Sequence, residues 1–416
     1  MSVEELLERA SSVETVSPHE AETLYLEVLL GGESDIRAKE SAATSLAHLY
    51  GKQKQGEELG ALMHKLRPFF LEIPKAKTAK IVKTIIDELS LVPGTLPLQA
   101  QLCEESIAWC LEHKRTFLRH RLESKLAVVY FKKRDFSDAL RLIGNTMREV
   151  RKLEDKPLMM EIQLTESQVH YALSNTPKAK ASLTSARTLA ASVYCPPALQ
   201  AAIDLQAGIL AADEGDFRTG FSYFYEAFEN YVTQKEHTLA LQSLQYMLLS
   251  KIMDNKANEV DAVIMNKNAM QFAGPEVEIF KGLAAAYKAR SLSQFEDILN
   301  SNKEVLTSDA VITMHLNRLY HTLLENNLLR IIEPFSRVQT QHVADLIELP
   351  LKDVEAKLSQ MILDQKFHGT LDQGMGSLII FDAPEEERTF TAAIETMEHL
   401  NKVVDALAER AGKLNN

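Results

Sequence analysis

Glycine and proline are scarce in this chain, with 16 and 13 in 416 residues, about 7 percent together. An average globular protein carries roughly 12 percent of the two. Hairpins depend on these turn-forming residues, so the shortage excludes an all-β sandwich or barrel. Apolar residues make up 45% of the chain, which is enough to build a core and excludes wholesale disorder.

Cysteine is equally scarce, since Cys103, Cys110 and Cys195 are the only three in the sequence. They form no Cys-x-x-Cys and cannot build a disulfide framework, which favours a reducing compartment. The amino terminus is amphipathic and acidic, unlike a secretion signal, and the sequence has no apolar run long enough to span a membrane. These absences predict a soluble intracellular protein. The net charge of −12 gives no general attraction for nucleic acid.

A repeat of about forty residues is present instead. Small residues recur at Ala139, Ala179 and Gly220, and each is preceded, twelve positions earlier, by another small residue: Ala127, Ser167 and Gly208. This spacing predicts helix pairs whose two helices approach closely, with Asp135, Asn175 and Asp216 as N-caps of the second helices. Such pairs resemble tetratricopeptide repeats with lengthened helices, and they bury their apolar faces by stacking into a right-handed solenoid.

The pattern changes near residue 308. It then predicts a helix, a short strand, two helices and a hairpin, which is the order of a winged-helix domain. The predicted elements are a helix at 312–329, a strand at 336–339, helices at 341–347 and 350–364, and strands at 367–371 and 377–381.

The last segment has an apolar residue at alternating steps of three and four, which predicts a helix that packs along other helices. These residues are Phe390, Ala393, Met397, Leu400, Val404, Leu407, Ala411 and Leu414. The whole chain is thus predicted to be dominated by α-helix. A solenoid of helical pairs (1–307) precedes a winged helix with a small β-sheet (308–384), followed by an acidic linker and a C-terminal bundle helix (385–416).

No catalytic constellation is found in the sequence. It has no phosphate-binding Gly-x-x-x-x-Gly-Lys-Ser/Thr, no His-Glu-x-x-His and no Gly-x-Ser-x-Gly. Cys103 and Cys110 share a predicted helix face and favour packing over metal binding, because zinc ligands come in close pairs on turns. We therefore expect no catalytic residues, no cofactor and no metal.

Two basic stretches stand out in this acidic chain. One is spread over Lys75 to Lys83, and the denser one contains Lys114, Arg115, Arg119 and Arg121. They predict either a solvated outer face or a surface for an acidic protein partner. The winged helix raises the alternative of a nucleic-acid-binding regulator, but its predicted recognition helix is nearly neutral and offers no arginine to read guanine.

A helical-repeat array that ends in a winged helix resembles the PCI domain, the module shared by the proteasome lid, the signalosome and an initiation-factor complex. Longer strings resemble the lid members of this family most closely. They include Tyr171-Ala-Leu-Ser-Asn, Tyr194-Cys-Pro-Pro-Ala-Leu-Gln, Tyr223-Phe-Tyr-Glu-Ala-Phe-Glu, Ile332-Glu-Pro-Phe-Ser-Arg-Val-Gln and Lys357-Leu-Ser-Gln-Met-Ile-Leu-Asp-Gln-Lys-Phe-His-Gly.

The resemblance implies a non-catalytic scaffold of the proteasome lid, present in cytoplasm and nucleus, that binds other PCI subunits, the ATPase ring and the core particle. A signalosome-like PCI subunit is the alternative within the family. Neither nucleic acid nor membrane is expected as a partner. The family's interfaces would fall on edge strands of the winged helix, on the C-terminal bundle helix, and on the basic outer face at Lys114, Arg115, Arg119 and Arg121. The strand residues are Ser336, Arg337, Val338, Gln339, Ser377, Leu378, Ile379, Ile380 and Phe381.

Overall fold

The computed structural model describes residues 3–13, 17–30, 36–307, 309–347, 349–381 and 388–414. The chain forms two compact units, Met1–Asn255 with Val263–Phe272 and Lys256–Ala262 with Ala273–Asn416. The predicted change of domain at residue 307 lies inside the second unit and stays a prediction. The acidic linker at 385–387 lies outside the described residues.

The first unit is built from helices. They are α1 (Val3–Val13), α2 (Pro18–Leu30), α3 (Ile36–Gln53), α4 (Gly56–Leu66), α5 (Phe69–Glu72), α6 (Lys75–Leu91), α7 (Leu96–Glu112), α8 (Thr116–Lys133), α9 (Phe136–Leu153), α10 (Lys156–Ala172), α11 (Thr176–Ser192), α12 (Pro197–Asp213), α13 (Phe217–Gln234) and α14 (His237–Met253). A 3-10 helix at Ala269–Phe272 also belongs to the first unit, whereas the 3-10 helix at Ala257–Glu259 belongs to the second, and α15 (Val260–Ile264) has residues in both.

The predicted helix pairs are present. Helix α8 packs on α9, α10 on α11 and α12 on α13, and the first helices of successive pairs also pack on one another. The small residues lie where the two helices of a pair meet. The Ser167 hydroxyl donates to the carbonyl of Ala179 at 2.8 Å, and a Cβ added to Gly220 would lie 3.3 Å from the carbonyl oxygen of Gly208. The solenoid of helical pairs is therefore confirmed.

The predicted N-caps are only partly correct. Asp216 accepts a hydrogen bond from the backbone N–H of Thr219 at 3.1 Å, as an N-cap does. The Asp135 carboxylate makes no such bond and lies 3.1 Å from the ammonium of Lys133 instead. Asn175 makes none either, and Pro177 in the first turn of α11 has removed one of the N–H groups that it could cap.

The turns inside these pairs use a left-handed residue directly before each N-cap position. It is Arg134 in one pair, Ser174 in the next and Gly215 in the third. The following N–H then reaches back five residues, as from Asp135 to the carbonyl of Tyr130 at 3.0 Å, which closes the helix end. Two of these three positions are not glycine, so the scarcity of glycine did not prevent short turns.

The second unit contains the remaining elements. They are α16 (Pro275–Ala289), α17 (Leu292–Ser301), α18 (Lys303–Leu306), α19 (Ala310–Ile332), β1 (Arg337–Gln339), α20 (Thr340–Ile347), α21 (Leu351–Leu363), β2 (His368–Asp372), β3 (Ser377–Phe381) and α22 (Arg388–Leu414). The predicted order of helix, strand, two helices and hairpin is confirmed, with ends that differ by a few residues.

The three strands form an antiparallel sheet in the order β1-β3-β2. Val338 lies opposite Leu378, and Thr370 lies opposite Ile379. Val338 and Leu378 are buried together with Val343, Leu358 and Met361, so one face of the sheet covers α20 and α21. The loop between β2 and β3 is tied to α20, because the carbonyl of Gly376 accepts from both the N–H and the hydroxyl of Thr340.

Replacing Gly208 by alanine is expected to lower the stability of the first unit by about 1 to 3 kcal/mol, which is typical of overpacking. The new Cβ would lie 2.5 Å from the buried ring of Phe224. The measurement is the thermal unfolding midpoint followed by circular dichroism.

Gly144 provides the matched control, because it also lies inside a helix but has no atom within 4 Å of an added Cβ. Its replacement by alanine is expected to raise stability by up to about 1 kcal/mol through helix propensity. Equal effects of the two substitutions would contradict the close approach at Gly208.

Candidate functional site

The C-terminal helix α22 exposes the apolar stripe that its spacing predicts. Phe390 and Met397 are 65% and 66% exposed, and Leu400 and Leu407 are 62% and 59% exposed. Ala393, Val404 and Ala411 are exposed as well, whereas the side chain of Leu414 is outside the described residues. The described residues of the second unit do not cover the stripe, so it can bind another molecule.

Two further residues widen this stripe. Ile394 and Val403 are exposed and lie next to the predicted positions on the helix surface. The heptad spacing alone did not include them, although both are apolar and one residue away from a predicted position. We define the seam as the exposed apolar stripe of α22, formed by Phe390, Ala393, Ile394, Met397, Leu400, Val403, Val404, Leu407 and Ala411.

The strand predictions need a correction. Arg337–Gln339 forms an outer strand of the described sheet, as predicted, and Ser336 adjoins it by accepting from the N–H of Ile380. Ser377–Phe381 is not an edge strand, because β1 and β2 pair with it from either side. Its backbone groups are thus used within the sheet, and Ser377 and Leu378 are buried.

The second outer strand is β2, which the sequence did not indicate as an interface. An outer strand presents unpaired backbone groups that can bind the strand of another chain. Strand order cannot be read from a hairpin pattern, because the hairpin leaves open which of its strands pairs with β1.

The basic run at 114–121 does not form one outer face. Arg115 is buried, donates to the carbonyl of Phe70 at 2.5 Å and stacks on the Trp109 ring at 4.8 Å. Its guanidinium therefore holds the start of α8 against α5 and α7, and the prediction of Arg115 as an outer-face residue is wrong.

Arg119 is also largely buried. Its side chain is only 14% exposed and forms ion pairs with Glu149 of α9 and, at 3.3 Å, with Glu123 of its own helix. The neighbouring His120 is buried and lies 2.9 Å from the same Glu149 carboxylate. Burial and the charge of Arg119 lower the pKa of His120 below its usual range. Lys114 and Arg121 are the two members of the run that remain exposed.

In α21, the predicted recognition helix of the winged helix, one of the cationic side chains is buried. Lys357 is buried, and its ammonium lies 2.8 Å from the carboxylate of Glu325 on α19. It lies 3.3 Å from the side chain of Gln360 as well. Lys352 is the cation of α21 that stays exposed, next to the exposed Asp353.

The thiols are placed for packing. Cys103 and Cys110 are buried, and burial raises the pKa of Cys103 to about 12 and that of Cys110 to about 11. Among the described residues no group of His, Cys, Asp or Glu is arranged to hold a metal ion. None of the helices that the structure describes has the length and apolar character to cross a membrane.

Replacing Arg115 by alanine is expected to destabilise the first unit by about 2 to 4 kcal/mol. The substitution leaves the buried Phe70 carbonyl without its donor and removes the cation from the Trp109 ring. In a parallel measurement of thermal midpoints, Arg121→Ala should cost at most about 1 kcal/mol, because Arg121 is exposed. A smaller loss for Arg115 than for Arg121 would contradict its structural role.

Replacing Lys357 by methionine is expected to destabilise the second unit by about 3 kcal/mol, since it leaves the partly buried Glu325 without its cation. Hydrogen exchange of α19 and α21 in the full chain measures this loss. Lys352→Met serves as the control and should leave exchange unchanged, because Lys352 is exposed. Combining Lys357→Met with Glu325→Leu should restore part of the protection, and its failure to do so would count against the ion pair.

Known protein families match successive parts of the chain. The 26S proteasome regulatory subunit RPN6 N-terminal domain matches residues 3–133, the PCI domain matches 299–382, and the 26S proteasome subunit RPN6 C-terminal helix domain matches 388–412. The resemblance to the PCI family is thereby confirmed.

Full-length relatives agree with these matches. The 26S proteasome non-ATPase regulatory subunit 11 homolog of Arabidopsis thaliana is 49% identical over 398 residues, which cover 95% of each chain. The probable 26S proteasome regulatory subunit rpn6 of Schizosaccharomyces pombe is 45% identical over 414 residues, which cover 98% of each chain. The 26S proteasome non-ATPase regulatory subunit 11 of Dictyostelium discoideum is 44% identical over 94% of this chain and 95% of its own. With its helical pairs, its PCI domain and its C-terminal helix, the chain belongs to the family of 26S proteasome non-ATPase regulatory subunit 11, the Rpn6 family.

Proposed function

We propose that this chain is a non-catalytic scaffold subunit in the lid of the 26S proteasome regulatory particle. It would connect the lid to the ATPase ring and the core particle, and so support ubiquitin-dependent protein degradation. The observation that carries the proposal is the seam of α22, an apolar stripe that the described residues of the second unit leave exposed. The names of the relatives place them in the 26S proteasome.

The seam has the physical character of a bundle helix. Burying one Leu or Met side chain stabilises an interface by roughly 1.5 to 3 kcal/mol. Seven large apolar residues of α22 are each at least 44% exposed, so the free energy available from covering them is large. Helices of other lid subunits are the occupants that we propose for this stripe.

Other PCI subunits would bind the outer strands of the winged-helix sheet. The outer strands β1 and β2 each leave one edge without a partner in the described sheet, and such an edge can bind a strand of another chain. On the first unit, Lys114 and Arg121 are the exposed cations that remain from the predicted basic face for docking to the ATPase ring or core particle. We propose the cytoplasm and the nucleus as locations of the assembled particle.

The absence of a nucleic-acid role is also a proposal. It is supported by the charges on α21, where Lys357 is engaged with Glu325 and the exposed Lys352 stands beside Asp353. A helix that reads a DNA groove needs free cations and hydrogen-bond donors on its outer side. The buried, neutral thiols of Cys103 and Cys110 likewise favour a scaffold over an enzyme.

The seam is tested with Met397→Asp/Leu400→Asp in the full chain. Replacing two apolar side chains that the proposed bundle would bury by charged ones should reduce incorporation into lid at least tenfold. The readout is native mass spectrometry of affinity-purified complexes, which also identifies the partner subunits by mass.

The matched control is Lys402→Asp, which makes the same total change of charge on the opposite face of the same helix. It should incorporate normally. Normal incorporation of the seam variant would remove the bundle role, and recovery with signalosome subunits instead of lid subunits would replace the proposal by the alternative within the family.

A further inference from the structure

A cavity of about 120 Å³ lies in the first unit, between the helices α6, α8 and α10. Its floor is apolar and is formed by Ile86, Leu118, Leu122 and Leu158, with Ala79 at one side. A cavity of about 150 Å³ with such a lining can hold benzene. This one therefore has room for a single aliphatic side chain of roughly leucine size.

The rim of this cavity is charged. Lys83 and Asp87 come from α6, Arg121 and Lys125 from α8, and Glu161 from α10. Lys125 and Asp87 neutralise each other, with 2.8 Å between the ammonium and the carboxylate. This pair leaves Lys83 and Arg121 as two cations on the α6 and α8 sides, against one carboxylate on α10.

Lys83 and Arg121 have no anionic partner among the described residues, unlike several other cations of the first unit. Lys77 pairs with Glu40 at 2.9 Å, Arg119 pairs with Glu149, and Arg115 is bound to the Phe70 carbonyl. Within the part of the chain that the structure describes, Lys83 has no ion pair and Arg121 donates no hydrogen bond. What sets them apart is their position, because both unpaired cations line the same cavity.

Arg121 is also held in position. Its guanidinium lies over the ring of Phe117 at 4.7 Å, which restrains the side chain while leaving its N–H groups available. A restrained guanidinium loses less conformational entropy when it binds a carboxylate, and it can bind the two oxygens at once.

We propose that this groove binds a short acidic segment of another protein, which inserts one leucine-sized side chain into the cavity and places carboxylates against Lys83 and Arg121. We define the acidic-peptide groove as the cavity together with these two cations. The proposal goes beyond the scaffold role. It shares Arg121 with the proposed docking face, but the cavity and Lys83 belong to the groove alone, and the groove is complete within the first unit.

The probe is a fluorescein-labelled peptide, Gly-Asp-Glu-Leu-Glu-Asp-Gly, titrated with the full chain and followed by fluorescence polarisation at low and at physiological salt. Two companion peptides separate the two recognition elements. One has serine in place of leucine, and the other has the matching amides in place of the four carboxylates. Both should bind at least tenfold more weakly than the probe.

Lys83→Glu/Arg121→Glu is expected to weaken binding of the probe at least tenfold. The control Lys75→Glu/Lys114→Glu makes the same change of charge at exposed positions outside the cavity, and it should alter binding less than threefold. Ala79→Phe, which fills the cavity, should abolish the preference for leucine over serine. Circular dichroism and thermal midpoints establish that each variant is folded.

Several results would overturn the groove. If the serine peptide binds as tightly as the probe, the cavity does not contribute and binding rests on surface charge alone. If the two double variants lose equal affinity, the peptide is attracted by the general charge of the chain and not by Lys83 and Arg121. Equal binding of the amide peptide, or dissociation constants above about 1 mM for all three, would exclude an acidic occupant. Because these measurements use the isolated chain, their failure is distinguishable from a failure to assemble into lid.

Discussion

The helix pairs α10–α11 and α12–α13 of the first unit depend on the close approach of two helices at small residues. At Ser167 the approach brings a hydroxyl to the Ala179 carbonyl, and at Gly208 it leaves no space for a Cβ beside Phe224. Helices held this close bury their facing sides fully and leave the first helices free to pack on the next pair. The surface formed by α6, α8 and α10, including its cavity, is a consequence of this stacking.

Several cations of this acidic chain stabilise the fold itself. Arg115, Arg119 and Lys357 are drawn into the interior, where each holds two helices together through a carbonyl or a carboxylate. An Arg or Lys side chain that is bound to a buried partner is not available to bind a second molecule. The surfaces that we propose for partners are therefore an apolar stripe on α22, two outer strands and a pair of cations beside a cavity.

Much of the fold was predictable because its signals are local. The forty-residue recurrence of small residues, the order of elements in the winged helix and the steps of three and four in α22 all reflect regular backbone geometry, and the structure has each of them. The left-handed turn residues were not predictable in this way. Arg134 and Ser174 occupy positions where glycine is usual, and the hydrogen bonds of the helix ends hold them there.

The candidate site was predictable only where it consists of a single element. The stripe of α22 belongs to one helix, so its spacing determined which residues share a face. Whether Arg115 faces the solvent or the Phe70 carbonyl, and whether β3 is an outer or a central strand, depends on residues far away in the chain. The sequence by itself therefore determined the helix pairs, the winged helix and the apolar stripe, because their periods follow from backbone geometry. Only the tertiary structure decided which cations are buried, which strands lie at the edge and where the cavity forms, since burial and pairing are properties of neighbours in space.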